Sequence, residues 1–240
     1  MRKIVFGGLM LIVMCQLNAQ SVLKKREVAA SEAVKQYMTE AHRQAAIYNG
    51  KEMMPYPTAY KNHPYFESNE PVKGLLSYDG IVYPEVLLRL DLYRNELILQ
   101  TPDNLYGVVL LPEKVDYAEL YEYHLFYYYQ EEKRGAPNDG YYMLLHDGGC
   151  RVLEKHLRPI KESHAERTVE YSFEKILRFY IEKEGEYHTV KSKRSVLKLF
   201  KSHKRELNQF IKQQNLNFKE EPGAAIVAVV KEYERLIRKP

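Results

Sequence analysis

From Gly74 onward, short apolar segments alternate with residues that favour tight turns, and this punctuation constrains the fold more than anything else in the chain. Asp79-Gly80, between residues 75–78 and 81–83, is a strong hairpin signal, because both residues tolerate the left-handed backbone that two-residue turns need. Arg94-Asn95 separates 86–93 from 96–100, and Pro102-Asp103-Asn104 precedes 105–111. Further on, residues 135–140 (GAPNDG) join HLFYYY to YYMLLH, and Asp147-Gly148-Gly149 makes another reversal. Along Leu88-Arg89-Leu90-Asp91-Leu92-Tyr93-Arg94 apolar and charged residues alternate, which predicts an antiparallel strand with one solvated face carrying Asp91. Residues 171–182 (YSFEKILRFYIE) fit one last long strand, with helix as the alternative. The expectation is an α+β fold, mainly β. Its centre is an antiparallel meander of about eight strands, curved and open or closing partly into a barrel.

The flanks read differently. Over 27–48, Val34, Met38, Ala41 and Ala45 recur at helical spacing, and Asn49-Gly50 ends the segment. Residues 51–73 hold Pro55, Pro57, Pro64 and Pro71, so they form a loop, and the tyrosines between them lay it on the core. In 195–214, Val196, Leu199, Phe200, Leu207, Phe210 and Ile211 share a stripe, with Ser202 capping a break and Asn215 ending the helix. Pro222 can open a further helix over 225–236. The chain therefore divides into 1–19, an N-terminal helical part (20–50), a proline-rich loop with the meander (51–182), and a C-terminal helical part (183–240).

Residues 1–19 have the three parts of a secretory signal peptide: Arg2 and Lys3, an apolar stretch over 4–14, and a small residue, Ala19, before Gln20. The apolar stretch is too short to span a bilayer. Lipidation at Cys15 is the alternative, disfavoured by Met14 where a small residue is usual. Retention as an anchor is a further one. Export without Cys15 leaves Cys150 alone, so the mature chain holds together by its core and not by a disulfide. The full chain carries a net charge of +4, two units of which leave with Arg2 and Lys3. Such a mild surplus gives no reason to expect a nucleic-acid partner.

Chemistry-bearing residues are sparse. His146 and Cys150 in YYMLLHDGGCRVL are brought together by the hairpin itself, and the leucines and valine around them favour a thiol serving as a small buried apolar group. The other histidines (42, 63, 124, 156, 164, 188, 203) show no metal-ligand spacing, and His63 in the proline-rich loop reads as a packing residue. Asp79, Asp91 and Asp116 are formal candidates for a pair of hydrolytic carboxylates, although Asp79 is explained by its turn. No nucleophile elbow, phosphate loop or dinucleotide fingerprint occurs, so no catalytic residue, metal or cofactor is assigned.

One charge cluster stands out. Residues 187–205 contain Lys191, Lys193, Arg194, Lys198, Lys201, Lys204 and Arg205 and no acid. Such runs are most often the solvated face of a helix, here balanced by Glu182, Glu184 and Glu186 just upstream. The alternative is a binding patch, with Lys191, Lys193, Arg194, Lys198 and Lys201 as its candidates, for anionic lipid, lipopolysaccharide or polyanionic glycan. Tyr127-Tyr128-Tyr129 could stack on a sugar or partner, but strand aromatics more often pack the core.

Taken together, IYNG, HPYF, GLLSYDGIVYPEVLLRLDLYRNELIL, YYMLLHDGGCRVLEKH and EGEYHTVKSKRSVLKLFKSHKRELNQFIKQQNLNF resemble a group of exported proteins widespread in Bacteroidota. The similarity covers nearly the whole mature chain. It implies export and a β-rich fold and carries no catalytic residue across. The expectation is an exported, non-catalytic binding or assembly module of the cell envelope, periplasmic or on an outer-membrane face. Its partner would be an envelope protein, anionic lipid or glycan. The alternatives are a hydrolase with dispersed carboxylates and a carrier enclosing a small apolar ligand within the sheet.

Overall fold

The computed structural model describes residues 29–41, 45–165 and 168–238. The signal sequence expected over 1–19, with Cys15, lies outside the described residues. Residues 29–41 form a helix, α1. The strands that follow are β1 (Lys51–Glu52), β2 (Val72–Tyr78), β3 (Ile81–Asp91), β4 (Glu96–Gln100), β5 (Gly107–Val109), β6 (Val115–Leu120) and β7 (Tyr123–Tyr128). Then come β8 (Gly140–Asp147), β9 (Arg151–Leu157), β10 (Ile160–Ala165), β11 (Thr168–Phe173), β12 (Ile176–Lys183) and β13 (Glu186–Val190). Three helices close the chain: α2 (Lys193–Leu199), α3 (Lys204–Gln213) and α4 (Pro222–Ile237).

Eleven strands pair antiparallel in the order β1-β5-β4-β3-β2-β6-β7-β8-β9-β12-β13, and β10–β11 form a separate ribbon. The edge strands β1 and β13 do not pair with each other, so the sheet is open. It is an α+β fold, mainly β, with a helix before the meander and helices after it. The anticipated turns form: Asp79, Gly80 and Asn95 all take positive φ, at 54°, 74° and 59°.

Four details differ from the sequence reading. The strands number thirteen among the described residues, because short β1, β5 and the β10–β11 ribbon carry weak signals. Residues 171–182 are not one strand: the Glu174 amide bonds Pro159 O, and the break hands the chain from the ribbon to the main sheet. The C-terminal part begins with a strand, β13, since residues 186–190 pair with β12. Finally, Ala45 is extended, with ψ 135°, and leads into a separate 3-10 turn, Ala46–Tyr48, so 27–48 is not one continuous helix.

Directly opposed residues run across seven strands on one face: Leu76, Ala118, Leu125, Met143, Glu154, Phe179 and Val190. Two apolar cores cover that face. The first joins β2–β8 to Val34, Met38 and Ala41 of α1, and the second joins Val152, Phe179 and Ile181 to α2, α3 and α4. Leu145 touches both cores. On the opposite face of β7, β8, β9, β12 and β13, Tyr128, Tyr142, Leu153, Tyr180 and Tyr187 form a third, smaller cluster.

The proline-rich segment is a strap: residues 64–66 pair along the edge of β3, and Tyr56 covers the face that carries Asp91. Tyr65 bridges Asp91, the Phe66 amide bonds Leu90 O at 2.9 Å, and the Leu92 amide bonds Pro64 O at 3.1 Å. Arg89 stands over the Tyr65 ring and Arg94 over Tyr56, each at 4.1 Å. The β10–β11 ribbon clamps the strap from outside through Asn62, which exchanges two hydrogen bonds with the Phe173 backbone. Asp91 is therefore fully buried and not solvated: alternation finds the face of a strand that points away from the core, but not the distant segment that covers it.

Candidate functional site

The basic segment folds into a groove because of how α2 starts and stops. Ser192 caps α2 reciprocally with Ser195: the Ser195 amide donates to Ser192 Oγ at 3.3 Å, and the Ser192 amide to Ser195 Oγ at 3.0 Å. Val196 and Phe200 are then turned into the second core. Phe200 ends the helix, a 3-10 turn (Lys201–His203) redirects the chain, and α3 continues with Leu207 and Ile211 buried. The break is where Ser202 suggested, but Ser202 makes no cap; its hydroxyl meets His203 Nδ1 at 2.9 Å. Lys193, Arg194, Lys198, Lys201 and Lys204 line the resulting groove of about 580 Å³, with Leu197 as its apolar element. Four of the five candidate residues thus converge. Lys191 stands outside, before the cap, its amide bonded to Ser195 Oγ.

These cations have no ion-pair partner among the described residues. The acids upstream are committed elsewhere: Glu182 to Lys133 and Arg151 at 3.5 and 3.7 Å, Glu186 to Arg134 at 3.8 Å, and Glu184 to Lys183. The balancing expected from the sequence therefore does not occur. Convergent, unneutralised cations over an apolar floor attract multivalent anions, and raise their local concentration.

The turn after β8 has three residues, Gly148–Gly149–Cys150, between the paired Asp147 and Arg151. Cys150 is in the loop and not on a strand, and it is buried. Its amide donates to Glu234 Oε1 at 2.8 Å, while His146 Nε2 stands 3.2 Å from both oxygens of the same carboxylate. A Cβ on Gly148 would come within 2.6 Å of His146 Nε2 and 2.7 Å of Glu234 Oε1, so a side chain here would displace that pair. Burial, and then the Glu234 charge, push the thiol up to about 11. Cys150 is a neutral thiol at physiological pH, and the histidine serves the carboxylate instead.

The three aspartates each have structural partners. Asp79 holds its turn and pairs with Lys114 at 3.3 Å. Asp116 accepts from Ser77 Oγ at 2.8 Å and from the Gly80 amide at 3.2 Å. Asp91 accepts from Tyr56 Oη at 2.7 Å and from the amides of Tyr93 and Arg94 at 2.9 and 2.8 Å. Of the tyrosine run, Tyr128 is buried and Tyr129 exposed. His63 stacks beside Tyr65, and burial followed by nearby Arg158 lowers its pKa. Among the described residues no three His, Cys, Asp or Glu side chains are grouped to hold a metal, and no helix is long and apolar enough to cross a membrane.

Sequence reasoning missed three consecutive buried residues on β9: Glu154, Lys155 and His156. Lys155 faces the tyrosine side, donating to Asp139 O at 2.9 Å with its Nζ 4.4 Å above the Tyr142 ring. Burial, then the Arg178 charge, bring it down to about 8. Glu154 and His156 face the other way, into a cleft of about 530 Å³ between the two cores. The available signal was a charged triplet inside the apolar run of 152–157, in a strand with strands on both sides. No family model, no curated protein and no solved structure matches this chain.

Proposed function

We propose that this is an exported, non-catalytic protein of the cell envelope, akin to the Bacteroidota group its motifs resemble, and that it docks on phosphate-bearing anionic lipid surfaces through the α2–α3 groove. The observation that carries this reading is the convergence of Lys193, Arg194, Lys198, Lys201 and Lys204 without counter-charge, while Glu182, Glu184 and Glu186 are engaged with other cations. Because the apolar face of α3 is spent on the second core, attachment is electrostatic and peripheral, and it weakens with salt. The open sheet offers no barrel lumen for a carrier, and the partners of Asp79, Asp91 and Asp116 weigh against a hydrolytic pair.

The test is sedimentation with vesicles of phosphatidylglycerol against vesicles of phosphatidylcholine. The protein should pellet with the first only. Replacing Lys191, Lys193, Arg194, Lys198 and Lys201 by Gln should weaken binding by roughly several thousandfold, at ~1 kcal/mol per basic residue near an anionic surface. Unchanged sedimentation of that variant would overturn the reading. N-terminal sequencing of protein from the envelope fraction should begin at Gln20.

A further inference from the structure

Glu154 is the only charged member of the seven-residue row, whose other members are all buried and apolar. A carboxylate in such a row loses its hydration, a cost normally offset by hydrogen bonds. Here its near partner is His156, and the carboxylate otherwise borders the cleft. His156 Nε2 lies 3.0 Å from Glu154 Oε1, but neither ring nitrogen of His156 has hydrogen-bond geometry to any partner. The imidazole is 8 % exposed and is held edge-on against Phe66 at 4.9 Å. A buried acid and a buried imidazole with unused capacity thus border the same opening.

The cleft is acidic as well as apolar. Glu67, Glu154, Glu220 and Glu221 line it against a single lysine, Lys175, which stands 3.6 Å from Glu67. Leu145, Leu177 and Val227 supply hydrocarbon walls. We propose that this cleft binds a small organic cation, with its ammonium group against Glu154, which His156 backs from beneath, and its aliphatic body along Leu145, Leu177 and Val227. An anion would meet four carboxylates, and a neutral ligand would leave the cleft's surplus of negative charge unmatched. The site is separate from the basic groove and does not depend on it, since the two have no lining residue in common.

The test is calorimetric titration of the full chain with hexylammonium chloride, alongside 1-hexanol and sodium hexanoate, with methyl NMR to locate the guest. Hexylammonium should saturate and shift the Leu145, Leu177 and Val227 methyls, binding about tenfold or more tightly than either control. Glu154→Gln, which keeps shape and removes charge, should lose that preference. Should Glu154→Gln fail to fold, Ala224→Trp decides, because Ala224 is exposed on the cleft wall and its enlargement should block entry. Equal binding of hexanol and hexylammonium, no saturable binding, an unchanged affinity in Glu154→Gln, or an unchanged affinity in Ala224→Trp would each overturn the proposal.

Discussion

The carboxylate of Glu234, in the last helix, accepts the backbone amide of Cys150 at 2.8 Å across 84 residues of sequence. With His146 on its other side, it ties α4 to the β8–β9 turn. Burial alone would raise the Glu234 pKa, but the Cys150 amide and His146 outweigh it and hold the group below the ordinary 4.5. A depressed folded value means that the stabilisation is complete above the unfolded pKa and is lost as pH falls through the folded one. Urea midpoints should therefore drop below about pH 4.5 in the wild type and less steeply in Glu234→Gln. Glu234→Ala, which orphans a buried amide, should cost about 2–3 kcal/mol at neutral pH.

Cys150 should resist chemistry. With its thiol pushed to about 11 and its side chain buried, the native protein should react with iodoacetamide at pH 7.5 far more slowly than free cysteine does, and at the normal rate once unfolded in urea. Rapid native labelling would contradict the buried-thiol geometry.

Lys155 predicts an alkaline limb of the same sign, with stability again rising with pH. Its folded pKa is lowered to about 8, whereas the unfolded chain holds its proton to 10.5, so between those values the unfolded state binds more protons and folding strengthens as pH rises. The gain is about 3 kcal/mol at most, and above pH 10 it is opposed by buried tyrosines such as Tyr141, whose burial raises their pKa. Lys155→Met should abolish the rise, as read from urea midpoints between pH 7 and 10.

Asp91 is the post to which the proline-rich strap is fastened. Asp91→Ala removes the acceptor of Tyr56 Oη and of two amides, and should cost about 3 kcal/mol. Limited proteolysis should then cut within residues 53–69, where the wild type resists. Tyr56→Phe, which removes only the strap's own hydroxyl, should loosen the strap with a smaller loss of stability, about 1 kcal/mol.

What the sequence discloses here is what a few neighbouring residues decide. Asp79, Asn95 and Asn215 adopt positive φ because their short polar side chains tolerate it, Gly80 because it has no Cβ, and Pro222 opens α4 because its missing N–H is unneeded there. Those signals mark the hairpins and the helices. Burial of Asp91 depends on Tyr56, 35 residues earlier, and on the β10–β11 ribbon beyond it. The basic cluster was visible as composition, but its freedom from counter-charge follows from where Glu182 and Glu186 turn on β12 and β13. Glu154 looked like one more charge in a run of three, because strand neighbours that make it exceptional, Met143 and Phe179, lie in other segments.

At the far end of the sheet, the Tyr187 amide on β13 is taken by Arg134 O, from the loop joining β7 and β8. Gly135 can pass there only for want of a side chain, since a Cβ would sit 2.1 Å from Tyr187 O. A terminal strand with free amides is an invitation to a second copy of the chain. This loop takes up one of those amides, reaching over the tyrosine-lined side to the border. Bulk introduced at Gly135 would release the Tyr187 amide and leave that border more open to strand-by-strand association.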